Sequence, residues 1–233
     1  MKAVLFDLDG TLLPMDQEVF VKDYLGRMAA FLAPHGYHPE KLIQAVWKGT
    51  GAMVQNDGKA RNEDVFWRVF NDMMEKDARQ DSALFEEFYR GDFQKARQSC
   101  GFQPAAAPAV REIRSLGYQV ILATNPLFPA IATQSRIRWA GLEPEDFECI
   151  TTYENARFCK PNPDYYREIL GKLNLNPSDC LMVGNDVDED MIAETLGMRV
   201  FLLTDCLINR NQADISRYPS GGFTELLQYV RSL

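Results

Sequence analysis

Two aspartates one residue apart, Asp7 and Asp9 in FDLDGTLL, close a short apolar run. In extended backbone alternate side chains share a face, so the two carboxylates point the same way. Like charges this close are costly unless a cation or a shared proton relieves them. Gly10 then permits a tight turn. Further polar groups follow apolar runs in the same manner: Thr124 and Asn125 after ILA, Lys160 in RFCKPNPDYY, and four acids in LMVGNDVDED. A strand-end hydroxyl with the backbone N–H groups after it makes an anion site, although Thr124 reads equally well as a helix N-cap. Pro161 and Pro163 stiffen the loop around Lys160, which would fix its ammonium. Acids in a first helical turn are favoured by the helix dipole, and Asp188 and Glu189 read that way.

These groups need a scaffold that brings strand ends together. Apolar runs at 3–6, 119–123, 148–151, 180–183 and 199–203 alternate with helical patterns at 107–116, 130–140, 163–173, 187–196 and 223–233. The alternation predicts an α/β fold, a doubly wound parallel sheet whose ligands bind outside the carboxyl ends of the strands. It stops between residues 14 and 103, where helical stretches at 17–33, 39–48, 63–76 and 82–99 replace it. The expected organisation is a core of residues 1–13 and 104–233, with a helical cap of residues 14–103 inserted after the first strand. Val65, Phe66, Val69, Phe70 and Met73 recur at helical spacing and read as core.

Bulk composition excludes several function classes. The 233 residues carry a net charge of −8, so there is no electrostatic footprint for a nucleic-acid backbone. The five cysteines include no CxxC pair and there are only two histidines, which argues against a disulfide framework or a zinc site. Reduced thiols, no membrane-length apolar run and an acidic N-terminus unlike a signal peptide predict a cytoplasmic protein. The expected partner is a small molecule, with no nucleic acid and no membrane, and the chain is expected to be a monomer or weak homodimer.

DLDGT, ATN, KPNPDYY and VGNDVDED, in this order and each after a strand, resemble the four motifs of the haloacid dehalogenase (HAD) superfamily of phosphotransferases. The inserted lobe resembles the helical cap of one subclass. The resemblance implies a Rossmann-like core and a Mg2+-dependent phosphatase acting on a small phosphorylated metabolite through an aspartyl-phosphate. In that pattern Asp7 attacks phosphorus, and Asp9 protonates the leaving oxygen and then activates water. Thr124, Lys160 and the Asn125 backbone bind the phosphoryl oxygens. The metal is held by Asp7, the Asp9 backbone carbonyl and an acid of the fourth motif. That acid usually follows the glycine directly, where this chain has Asn185. Asp186 is therefore the expected direct ligand, with Asn185 orienting the site and Asp190 supporting Lys160 or a metal-bound water.

Relatives that dehalogenate or cleave carbon–phosphorus bonds lack an acid at the Asp9 position, so its presence argues for phosphate-ester chemistry. The alternatives are a phosphomutase on the same core and a non-catalytic phosphate-binding protein, which would be expected to lose Asp7 or Asp9. Substrate choice falls to the lobe, where the polar segment KGTGAMVQNDGKARNED offers Lys48, Thr50, Asn56, Lys59 and Arg61. This segment is expected to face Asp7 across a cleft, with hinges near Pro14 and Gln103.

Overall fold

The computed structural model describes residues 1–233. The chain opens on β1 (Ala3–Phe6), then runs through α1 (Gln17–Leu32), α2 (Pro39–Val54), α3 (Asn62–Met74) and α4 (Ser82–Arg90) before α5 (Ala106–Ser115). After these come β2 (Gln119–Leu122), α6 (Ala130–Trp139), β3 (Cys149–Ile150) and α7 (Pro163–Leu173). The chain ends with β4 (Cys180–Gly184), β5 (Arg199–Leu203), β6 (Ser220–Gly221) and α8 (Phe223–Arg231). The strands form one parallel sheet in the order β3-β2-β1-β4-β5-β6.

β1 lies at the centre, with Phe6 opposite Leu122 on one side and Val183 on the other. Its four residues are all buried: Val4 and Phe6 enter one apolar core, Ala3 and Leu5 the other. Such two-sided burial is why the strand reads as a continuous apolar run. The winding direction reverses between β1 and β4, which is where an open α/β sheet binds its ligand.

α1 to α4 share the larger core with α6. Phe93 stacks on Trp139 of α6 with ring centroids 5.1 Å apart, and Tyr24 of α1 meets Phe128 at 5.3 Å. The chain leaves and re-enters the sheet layer side by side. Gly101 N–H donates to the Pro14 carbonyl at 2.7 Å, and Met15 pairs with Cys100 as an antiparallel bridge.

Three elements differ from the sequence expectation. α2 continues to Val54, so Lys48 and Thr50 lie on a helix and not in a loop. The helix expected over 82–99 breaks at Gly91, a weak helix former, and resumes as a 3₁₀ helix, Asp92–Ser99. The helix expected over 187–196 is a run of turns followed by a 3₁₀ helix, Met191–Leu196. There the Asp186 carboxylate accepts the Asp188 and Glu189 N–H groups, offering the backbone a local alternative to helix. No helix is long and apolar enough to cross a membrane.

Candidate active site

The four sequence motifs converge at the carboxyl ends of β1, β2 and β4. Asp7 directly follows β1 and is buried. Its Oδ1 accepts from Lys160 Nζ at 2.9 Å, across 153 residues of sequence. Thr11 Oγ1 is within reach of both Asp7 Oδ2 (3.2 Å) and Asn185 Oδ1 (2.9 Å), donating its one proton to either. Gly10 makes this approach possible. Its φ is +89°, and a Cβ there would lie 2.3 Å from Asn185 Nδ2.

Thr124, after β2, is 1 % exposed, and its backbone carbonyl accepts from Tyr165 Oη at 2.8 Å and Thr151 Oγ1 at 2.7 Å. Its own hydroxyl has no partner. Buried polar groups normally find one, so a positioned hydroxyl without one marks a place for a ligand. The backbone N–H groups of Leu8, Asp9 and Asn125 are likewise not taken by any backbone carbonyl. The Asn125 side chain donates to Glu189 Oε2 at 3.0 Å, which ties the second motif to the fourth.

Lys160 is fully buried and bridges Asp7 and Asp190, the latter at 2.7 Å. Burial alone would lower its pKa, but the Asp190 and Asp7 carboxylates outweigh burial and hold it well above the usual lysine value. Asp190 Oδ2 reaches back to accept the Asp186 N–H at 3.0 Å. Only a glycine fits at 184, because a Cβ there would lie 2.0 Å from Asp190 Oδ2. Glu189 is part of the site and not an ordinary acid of a helix start. Burial pushes it up to about 7, with Lys160 opposing.

Within the fourth motif the geometry separates Asn185 from Asp186. Asp186 Oδ1 accepts the Asp188 and Glu189 N–H groups at 2.9 and 3.0 Å, and Oδ2 accepts from Arg210 at 2.8 Å. Its carboxylate is committed to the turn and to the 206–210 strap. Asn185 Oδ1 instead faces the Asp7–Thr11 pair, held there by a 2.6 Å bond from Nδ2 to the Cys206 carbonyl. No three His, Cys, Asp or Glu side chains converge as a preformed cage. The site does hold five acids, Asp7, Asp9, Asp186, Glu189 and Asp190, against three cations, Lys160, Arg136 and Arg210. An oxygen-rich set with surplus negative charge suits Mg2+, which commonly takes one or two carboxylates plus phosphate.

Sequence reasoning missed Arg136. Its side chain, on α6, is fully buried and pairs with Asp9 Oδ2. Asp9 Oδ1 is enclosed without a partner. Burial raises the Asp9 pKa and Asp7 adds to the rise, while Arg136 opposes it. The only signal in the sequence was two arginines in one helical turn, Arg136 and Arg138, and they have different fates. Arg138 is exposed and pairs with Glu143.

The lobe residues proposed for substrate are less engaged. No hydrogen bond or ion pair links Lys48, Thr50, Asn56, Lys59 or Arg61 to Asp7, Asp9 or Lys160. Asn56 closes its own loop, donating to the Ala60 carbonyl and to Asn62 Oδ1. Lys59 pairs with Asp57. The segment seats on the core beside the Lys160 loop, because Asn62 N–H donates to the Ala156 carbonyl and Gly58 lies against Phe158. Thr50 lines a cleft of about 1200 Å3 between the inserted helices and α6, walled by Trp47, Phe66, Tyr89, Phe128 and Trp139. None of the motif side chains lines it, although Leu127 and Phe128 continue directly from the Asn125 loop.

Residues 1–193 match the family model described as haloacid dehalogenase-like hydrolase. The chain is 24 % identical over 206 residues to a phosphoglycolate phosphatase of Vibrio vulnificus, covering 88 % of this chain and 84 % of the relative. The 2-haloacid dehalogenase of Pseudomonas syringae superposes with a TM-score of 0.63 at 21 % identity over 100 % of this chain and 98 % of that one. A HAD phosphatase of Thermococcus onnurineus superposes with a TM-score of 0.58 at 20 % identity, over 99 % and 98 %.

Proposed function

The chain belongs to the haloacid dehalogenase-like hydrolases, and we propose that it is a phosphatase of that family, one that hydrolyses a small phosphorylated metabolite with the help of Mg2+ through an aspartyl-phosphate on Asp7. The fold does not choose between phosphatase and dehalogenase, since solved structures of both kinds superpose on it. The observation that carries the choice is Asp9, a second acid beside the nucleophile with one oxygen uncommitted, where dehalogenating relatives have no acid.

Asp7 attacks phosphorus as the bond to the leaving oxygen breaks, and Asp9 supplies that oxygen with a proton. In the second half Asp9 takes a proton from water, whose oxygen attacks phosphorus, and the bond to Asp7 breaks to release phosphate. The Thr124 hydroxyl and the free N–H groups near Asp9 and Asn125 receive the phosphoryl oxygens. Lys160 is a fixed positive charge beside Asp7 that neutralises the incoming phosphate. Mg2+, when bound, neutralises charge on the transferring group. Asp7, the Asp9 backbone carbonyl and the Asn185 amide oxygen are the groups to hold it, because Asp186 is committed elsewhere. The inserted helices act as a cap that selects the ester, and the five unpaired thiols suit a reducing, cytoplasmic setting.

The test is release of inorganic phosphate from a panel of small phosphate esters, with Mg2+ and with chelator, and with Asp7→Asn as control. Mg2+-dependent release that Asp7→Asn abolishes is the expected result. Transfer without free phosphate would identify a mutase, and no turnover of any ester would overturn the reading.

A further inference from the structure

Arg136 has no place in the motifs, yet its charge is buried completely and it meets Asp9 across 127 residues of sequence. A guanidinium stays protonated, so a fully desolvated one must be held by a carboxylate and its surroundings. Here the carboxylate is Asp9. The guanidinium also stacks over Phe128 with Cζ 4.1 Å from the ring centroid, and Thr133 Oγ1 accepts from it at 3.4 Å. These contacts lock the arginine from two sides on α6, directly after the loop that carries Thr124 and Asn125.

The two oxygens of Asp9 are thereby made unequal. Oδ2 is taken by Arg136, whereas Oδ1 is enclosed and has no partner. We infer that Arg136 is a positioning residue for the acid–base steps: it anchors Asp9 through Oδ2 and aims Oδ1 as the oxygen that exchanges the proton. This rests on the role given to Asp9 above. In the first step the Oδ1 proton passes to the ester oxygen as its bond to phosphorus breaks. In the second, Oδ1 receives a proton from the attacking water. Arg136 neither gains nor loses a proton in either step.

A positioning role has a signature that mere structural support lacks. An aryl leaving group departs without a proton, whereas an alkyl oxygen needs one. Both need the base in the second step. Arg136→Met and Arg136→Lys are compared with the parent on p-nitrophenyl phosphate and on glycerol phosphate, with Asp9→Asn as reference and thermal melting to establish folding. The expected result for Arg136→Met is a kcat on the alkyl ester lowered by about 10²-fold with KM little changed. With the aryl ester a rapid first turnover survives and the steady state is slow. Arg136→Lys, which keeps a cation beside Asp9, is expected to recover part of the kcat on the alkyl ester. If the methionine variant does not fold, the lysine variant carries the comparison, with a smaller loss of the same selectivity. Folded variants whose first-turnover rate falls equally on both esters, or falls on neither, overturn the assignment while leaving the phosphatase reading intact. Failure of the parent to hydrolyse these two esters and every other ester of the panel would overturn both.

Discussion

Replacing Lys160 by methionine tests whether the motifs form one electrostatic unit. The side chain is fully buried and bridges Asp7 at 2.9 Å and Asp190 at 2.7 Å, so its loss strands two carboxylates without their cation. Removing one partner of a buried ion pair costs about 3–5 kcal/mol. For a chain of this size that corresponds to a fall in Tm of about 6–20 °C. The deficit has a defined pH dependence. Burial raises the Asp190 pKa and Lys160 opposes the rise, so without Lys160 that carboxyl stands further above its ordinary value and the folded chain keeps a proton that the unfolded chain has already released. Stability is then lost as pH rises from about 4 towards neutrality, and the deficit is greatest at pH 8. The assay is thermal and urea unfolding of Lys160→Met at pH 4.5 and pH 8, beside the same variant carrying Asp190→Asn. The asparagine removes one of the stranded charges and should recover part of the loss at pH 8, a coupling that single variants do not reveal. A melting temperature within about 2 °C of the parent at pH 8 would refute the reasoning. So would a double variant no more stable than the single one.

Two further outcomes follow from the fourth motif. Asn185→Ala should weaken Mg2+ binding, measured by titration calorimetry without substrate, by about 10- to 100-fold. Asp186→Ala should mainly lower Tm by loosening the turn held through Asp188, Glu189 and Arg210; the reverse pattern would restore Asp186 as the direct ligand. Glu189 carries a pKa raised by burial from 4.5 to about 7, so ionising it in the folded state costs stability as pH rises across that window. Glu189→Gln, which can still accept from Asn125, should therefore gain on the parent between pH 5 and pH 7, by on the order of 2–3 kcal/mol in metal-free unfolding experiments. A stability difference independent of pH would count against a strained, ionised Glu189.

The chain's local order determined a good deal. A four-residue apolar run closed by Asp7 reads as a buried strand because β1 is covered on both faces and paired on both edges. The alternation of such runs with helical periods fixed the parallel sheet, and the parallel sheet places every strand's carboxyl end on one side. That placement is why Asp7, Thr124, Lys160 and Asp190 could be gathered from sequence order alone. The inserted helices were legible for the same reason, as a stretch with helical spacing and no buried strand.

Tertiary structure decided what depends on distant partners. LMVGNDVDED does not reveal whether Asn185 or Asp186 turns towards the nucleophile; the strap at Cys206 and Arg210 settles it by taking the Asn185 amide and the Asp186 carboxylate. Arg136 and Arg138 are alike on paper, yet one is enclosed beside Asp9 and the other is solvated, because α4 and the 3₁₀ helix after Gly91 pack over one face of α6 and not the other. Glu189 reads as a surface acid until the Asn125 loop closes over it. Short-range pattern fixes a residue's direction within its own element. Its burial and charge partner are set by elements that meet only when the whole chain packs.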